Sequence, residues 1–428
     1  MTRARVSHAG LRRAAPAAAV ATAFIAMALL YAAGARGAYD GMIAAWGVEP
    51  FAFPFVDTDM ILSALRCRRS GVDVFADNPC DALGRLYDYS PVWLLGAALP
   101  VTTGWILPVG LTVDGAFIAC LLLLPAGRGW GQAAAIVAVA LSTPVAFALE
   151  RGNCDLVIFT LAACAAWLTC RSQGLRLAGY GLAYLAGLLK YYPMLLMALA
   201  TRERPIAFAA VAAAAFAVLA AFIALDGDEL MRALALIPTG SAFGDMFGAR
   251  QLPLGIATML RLGPRGEMAL RLGVPAVFVA AGVVIGVGGA VRDDLASLSE
   301  AERSFLLAGA MLLLGCFMTA QNIGYRAIHL LLVMPGVTAL WHERRRGIYG
   351  ISVCVLVVLA WAEGWRSWLA AWFGATSHPE PDAVGLMAWA LREACWWWTI
   401  TLLVAMAVGL LLRSDVVRSF RRWGVALP

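Results

Sequence analysis

Lysine is almost missing. The chain of 428 residues carries 33 basic side chains, and Lys190 is the only lysine among them. Charge of either sign is scarce, at 14% of residues, against 62% hydrophobic ones. A soluble domain carries roughly a quarter charged residues, so this shortage excludes an ordinary globular protein. The nine cysteines form no CxxC pair or Cys/His cluster, and most lie inside apolar runs as small hydrophobes, so no metal centre and no cofactor is expected. No internal repeat is detectable. The net charge of +6 requires no nucleic acid, because loop arginines account for it.

What is present is long apolar sequence. Runs able to span a bilayer recur, for example at 14–34, 206–225, 272–291 and 396–412. The run at 14–34 follows a basic stretch and could pass for a signal peptide. With so many later spans, an uncleaved anchor is the better reading. The expected fold is all-α: one polytopic transmembrane helical bundle over 1–428, with about 11 to 13 helical segments. It divides into a first span at 14–34, a long loop at 35–90, the remaining helices at 91–412 and a tail at 413–428.

The short Arg-bearing segments 1–13, 126–131, 171–176, 202–205, 292–303, 342–346 and 413–422 hold 18 arginines against seven acidic residues. The positive-inside bias assigns them to the cytoplasmic side and the 35–90 loop to the outside of a bacterial inner membrane. Outer loops also fall at about 226–271 and 364–383. Parity then requires two broken segments. "YSPVWLLGAALPVTTGW" must dip in and return, and "LAGYGLAYLAGLLKYYPMLLMALA" must rise to Lys190-Tyr191-Tyr192-Pro193 and fall back. Such breaks survive only inside protein or beside a wet cavity. In the long loop, Met60, Ile61, Leu62 and Leu65 could form the apolar side of an interfacial helix. Cys67 and Cys80 could pair there if the loop is extracytoplasmic.

Polar residues interrupt the apolar sequence in four places that this topology brings to the outer face. "ERGNCD" places Glu150, Arg151, Asn153 and Asp155 at a turn between spans. A Glu–Arg pair capping that turn is the plainer alternative to a functional role. Asp57-Thr58-Asp59 opens a segment of the long loop and could equally cap a helix. Lys190 stands at a Pro-broken apex with Tyr191 and Tyr192, far from any arginine cluster, and could otherwise be a snorkelling side chain. In "AQNIGYRAIHLLL", Gln321, Tyr325, Arg326 and His329 recur at spacings of three and four, placing Arg326 and His329 on one helical face. Ionisable groups at membrane depth usually face a cavity. Carboxylates suit deprotonation of a hydroxyl, and Lys190, Arg326 and His329 suit a departing phosphate. Together they point to an anionic, lipid-linked substrate.

Acidic residues in a long first outer loop, "YDYSPVWL", "ERGNCDLVIFTLA", "LLKYYPMLLM" and "QNIGYRAIHLLL" together resemble the GT-C membrane glycosyltransferases. The pattern over residues 15–340 is most similar to glycosyltransferase family 87, which includes polyprenyl-phosphate-mannose-dependent α-mannosyltransferases. This chain departs at Ser90, where the family commonly has proline, and at Cys154, where it has an aliphatic residue. The resemblance implies metal-independent, inverting transfer of a sugar, mannose favoured. The donor is a polyprenyl-phosphate-linked sugar, and the acceptor a glycolipid or glycan hydroxyl on the extracytoplasmic side. It implies Asp57 as the base, with Asp59 and Glu150 in support. Lys190, Arg326 and His329 then face the donor phosphate, and Arg151, Asn153, Tyr191, Tyr192, Gln321 and Tyr325 line the substrate site. A lipid or glycan flippase, and a noncatalytic subunit of an envelope complex, are the other functions this composition accommodates.

Overall fold

The computed structural model describes residues 2–319, 321–344, 347–374 and 381–422. Among them are 18 α-helices, five 3₁₀ segments and one two-stranded pairing. The all-α expectation stands, but the apolar sequence is cut into more pieces than the 11 to 13 read from hydropathy. Six helices are long and apolar enough to cross a membrane, and eight spans result if each bent pair counts as one. The bends are 44° between Trp130–Ala140 and Thr143–Arg151 and 62° between Gly347–Ala360 and Ala362–Phe373. The tail expected at 413–428 is described only as far as 422, where Asp415–Arg422 is helical.

Burial sorts the helices into a centre and a jacket. Glu300–Thr319, Leu330–Arg344 and Cys154–Leu168 are buried along most of their length. The last two have 15 residues each. At about 1.5 Å per residue, such a helix reaches roughly 22 Å, short of a hydrocarbon core of about 30 Å. These are core helices. Pro205–Ala235 is the opposite case, with Ile206 85% and Leu225 82% exposed, an apolar surface suited to lipid.

The segment expected to rise and fall does reverse. Helix Gln173–Lys190 runs to Lys190, Tyr191 takes a left-handed φ of 62°, and the chain returns as a 3₁₀ segment over Tyr192–Arg202. The other interrupted segment is also 3₁₀, over Pro91–Ala98 and Thr103–Trp105. Ser90 starts it by accepting a hydrogen bond from the Val92 N–H, with Pro91 at the first position.

The long loop is built around helix Val56–Arg69 and the Cys67–Cys80 disulfide. The interfacial expectation for this helix is corrected. Met60, Leu62 and Leu65 are buried and Ile61 is half-buried, and the helix packs on protein that includes Val74, Phe75, Tyr87 and Leu94.

Candidate functional site

The turn at 150–155 is the hub. Helix Thr143–Arg151 ends at Gly152, whose φ of +56° is the left-handed stop that glycine supplies. A Cβ there would lie 2.4 Å from Thr58 Oγ1, and that hydroxyl donates to the Gly152 carbonyl at 2.8 Å. Asn153 caps the next helix, accepting from the Asp155 N–H at 2.8 Å. Its amide also donates to Asp57 Oδ2 at 2.5 Å.

The alternatives left by the sequence are settled locally. Arg151 pairs with Asp57, not with its neighbour Glu150, through Nε–Oδ2 and Nη2–Oδ1 contacts of 2.8 Å each. Arg85 adds a third cationic donor to Asp57 at 3.1 Å while gripping Asp81 at 2.9 to 3.1 Å. Asp57 therefore has donors for all of its roughly four lone-pair sites. The helix-cap alternative for Asp57-Thr58-Asp59 is not used, because the cap residue is Phe55 and no side chain bonds there. Glu150 Oε1 accepts only a long 3.5 Å bond from the Phe51 N–H, and Oε2 is buried without a partner. Asp59 accepts from the Ala82 N–H at 3.3 Å and lies 3.7 Å from Arg66, with burial raising its pKa.

A second cluster centres on Asp155, which is fully buried. Lys190 Nζ donates to its Oδ2 at 2.6 Å, Tyr192 OH to its Oδ1 at 2.7 Å, and Arg326 Nε lies 3.5 Å away. Tyr192 OH also meets His329 Nε2 at 2.8 Å, leaving His329 Nδ1 buried without a partner. Arg326 and His329 do share a face, on a 3₁₀ segment over Gly324–His329, where residues three apart eclipse. Tyr325 joins the two clusters: its ring centre is 6.0 Å from the Arg151 guanidinium and 5.7 Å from Lys190 Nζ. Gln321 bonds Gly240 and Gln251 instead of this network, yet it lines the same cavity as Lys190 and Arg326.

Two cavities flank the hub. One, of about 450 Å³, is lined by Lys190, Tyr192 and Arg326 together with the apolar Met194, Leu195, Leu234, Ile237 and Pro238. The other, of about 400 Å³, is lined by Arg151 together with Glu49, Asp245, Glu363 and Arg392. Met246 borders both, in the short antiparallel pairing of Met246–Phe247 with Asn322–Ile323. Of the three described non-glycine residues with positive φ, Phe55 and Tyr191 stand beside these clusters, one before Asp57 and one after Lys190. Strained backbone of this kind collects at functional sites.

Several residues escaped the sequence reading. Asp88 lines the first cavity, where burial raises its pKa to about 6 against the opposing charge of Lys190. It sits inside "YDYSP", where an acidic residue in a polar loop stands out from nothing around it. Asp155 was visible as a charge at membrane depth but not as the anchor of two cations. Glu363 and Arg392 lie 3.0 Å apart from separate helices, and no local pattern announces that pair. Among the described residues no group of His, Cys, Asp or Glu could hold a metal ion. No family model, no curated protein and no solved structure matches this chain.

Proposed function

We propose that this chain is a multi-pass membrane glycosyltransferase that moves a sugar from a polyprenyl-phosphate donor to an acceptor hydroxyl. The carrying observation is the first cavity, whose lining joins the cations Lys190 and Arg326 to apolar residues that include Leu195, Leu234 and Ile237. A phosphodiester suits the cations, and an isoprenoid chain suits the apolar residues, of which Leu195 and Leu234 are exposed at the surface. Lys190 and Arg326 set two positive charges against Asp155 and Asp88, and Asp88, with its pKa raised to about 6, leaves one positive charge for a phosphodiester when it holds its proton. As the glycosidic bond breaks, the phosphate gains a second charge, and fixed cations stabilise that charge most where it develops. His329 meets the hydroxyl of Tyr192, which donates to Asp155, and so supports the cluster from behind.

The second cavity suits a hydroxyl-rich acceptor, because its carboxylates and guanidinium groups offer both acceptors and donors. Asp57 serves as base once one of its donors moves. Arg85 is the one to leave: its 3.1 Å bond is the longest of the four, and Asp81 and the Val56 carbonyl retain it. The acceptor proton passes to Asp57, the acceptor oxygen bonds the anomeric carbon, and the phosphate departs with the electron pair. No metal is used in this scheme.

The test is incubation of the purified chain with labelled polyprenyl-phosphate mannose and envelope lipids. Label appearing in a new glycolipid, with polyprenyl phosphate released in equal amount, supports the proposal. Passage of intact donor across a reconstituted membrane without chemical change would favour a flippase instead.

A further inference from the structure

A further cavity lies at the opposite end of the same helices. It measures about 670 Å³ and is walled by the start of Gln173–Lys190, the end of Tyr192–Arg202, the start of Glu300–Thr319 and the junction of Ala383–Leu412 with Asp415–Arg422. Six arginines from these separated segments converge there: Arg176, Arg202, Arg204, Arg303, Arg413 and Arg418. Among the described residues, three carboxylates answer them. Arg176 pairs with Glu203 at 2.7 Å, Arg202 with Glu300, and Arg418 with Asp415 at 2.5 Å. Arg413 donates to a backbone carbonyl, that of Arg292 at 3.1 Å. Arg303 is half-buried in the wall and makes no ion pair with a described residue, and Arg204 is exposed. Among the described residues, three positive charges are left over in one groove.

The surroundings identify the kind of anion. Leu199, Leu307 and Leu410 form an apolar floor. The groove borders the start of Pro205–Ala235, the helix with the most exposed apolar surface, where Ile206 is open to the outside. Helix Asp415–Arg422 closes the far side through buried Val416. A free phosphate ester would use the arginines and leave the apolar floor and the Ile206 face unused. A phospholipid uses all three, with its phosphate among the arginines, its glycerol on the leucines and its acyl chains along Pro205–Ala235. We propose that this groove binds the headgroup of an anionic phospholipid. The site is independent of the glycosyl-transfer reading and stands or falls without it.

The full chain in mild detergent is titrated with phosphatidylglycerol and with phosphatidylcholine, and bound lipid is counted by native mass spectrometry. Phosphatidylglycerol should be retained in preference. The pair Arg303→Gln and Arg413→Gln should weaken its retention roughly tenfold, since each basic group near a lipid anion contributes substantially to binding. The pair Arg303→Lys and Arg413→Lys should keep most of it. Arg171→Gln, at the same end but outside the groove, should change nothing. Raising salt from about 0.05 to 0.5 M should release the lipid from the unaltered chain, which tests the point even where a variant misfolds. Equal retention of the two lipids, or unchanged phosphatidylglycerol binding in the glutamine pair, would overturn the proposal. Complete displacement by glycerol 3-phosphate at equal concentration would overturn it in favour of a soluble phosphate ester.

Discussion

Arg151 holds Asp57 by two hydrogen bonds of 2.8 Å, in the bidentate geometry that only a guanidinium provides. The pair ties the turn at 150–155 to helix Val56–Arg69 of the long loop, so one carboxylate is both a structural node and the proposed base. These roles separate by substitution. Asp57→Asn keeps the shape and can still accept from Arg151, yet it cannot take a proton. Transfer should fall by about 10² to 10⁴ while donor binding is nearly unchanged. Arg85→Gln should leave Asp57 freer, with activity retained. Glu150→Gln and Asp59→Asn should cost less than Asp57→Asn. Turnover of the four variants at matched expression checks the ordering, and normal turnover by Asp57→Asn removes it from the chemistry.

Lys190 is held by Asp155 at 2.6 Å and lies 3.1 Å from Cys154 Sγ, a crowded position for an ammonium group. Lys190→Ala should lose about 10² or more in rate, because the buried Asp155 then faces the phosphate with one cation fewer. Lys190→Arg should recover little, since a planar fork does not fit where a compact charge stood. Asp155→Asn should also lower the proposed transfer by releasing both Lys190 and Arg326. Wild-type turnover by Lys190→Ala would return this residue to a structural role.

The sequence revealed these residues unevenly, and the reasons are physical. Lys190, Arg326, His329 and Asp155 stand out because charge at membrane depth is costly and therefore rare. The reversal at Tyr191 was legible from topology, since two basic loops cannot flank a single crossing. The disulfide was legible as a possibility only, because pairing needs a geometry that spacing does not contain. Burial of Met60, Leu62 and Leu65 was not legible, since an apolar face reads the same toward lipid and toward protein. Arg85 and Glu363 belong to pairs formed across long sequence separations, which hydropathy does not encode.

Asp88 makes a pH-dependent prediction. Its pKa is raised by burial from 3.8 to about 6. Between about pH 4 and 6 the folded chain therefore holds a proton that the unfolded chain has lost. Stability from this group is greatest below that window and declines as pH rises through it. Asp88→Asn should flatten this part of the profile. Thermal melting of both proteins in detergent from pH 4 to 7 checks it through the difference curve. An unchanged difference across the window would show that Asp88 titrates normally.

The second cavity gives the sharpest separation of substrates. Asp245 opens into it, and Glu363 is fixed at its wall by Arg366 at 2.7 Å and Arg392 at 3.0 Å. Neither residue lines the donor cavity, which meets this one only at Met246. Asp245→Asn removes a charged acceptor for a sugar hydroxyl without loosening Arg366 or Arg392. Hydrogen bonds to charged groups contribute about 1.5 to 3 kcal/mol, so the acceptor KM should rise roughly tenfold or more. Donor affinity should stay within about twofold, because an interaction with the acceptor alone cannot appear in donor binding. Glu363→Gln should act in the same direction, with an added loss of thermal stability, since, among the described residues, buried Arg366 loses its ion pair and Arg392 keeps only Glu393. Steady-state kinetics with each substrate varied in turn decides the matter. A rise in donor KM with the acceptor KM unmoved would exchange the roles of the two cavities, and the proton would then have to leave on the side of Asp88 instead of Asp57.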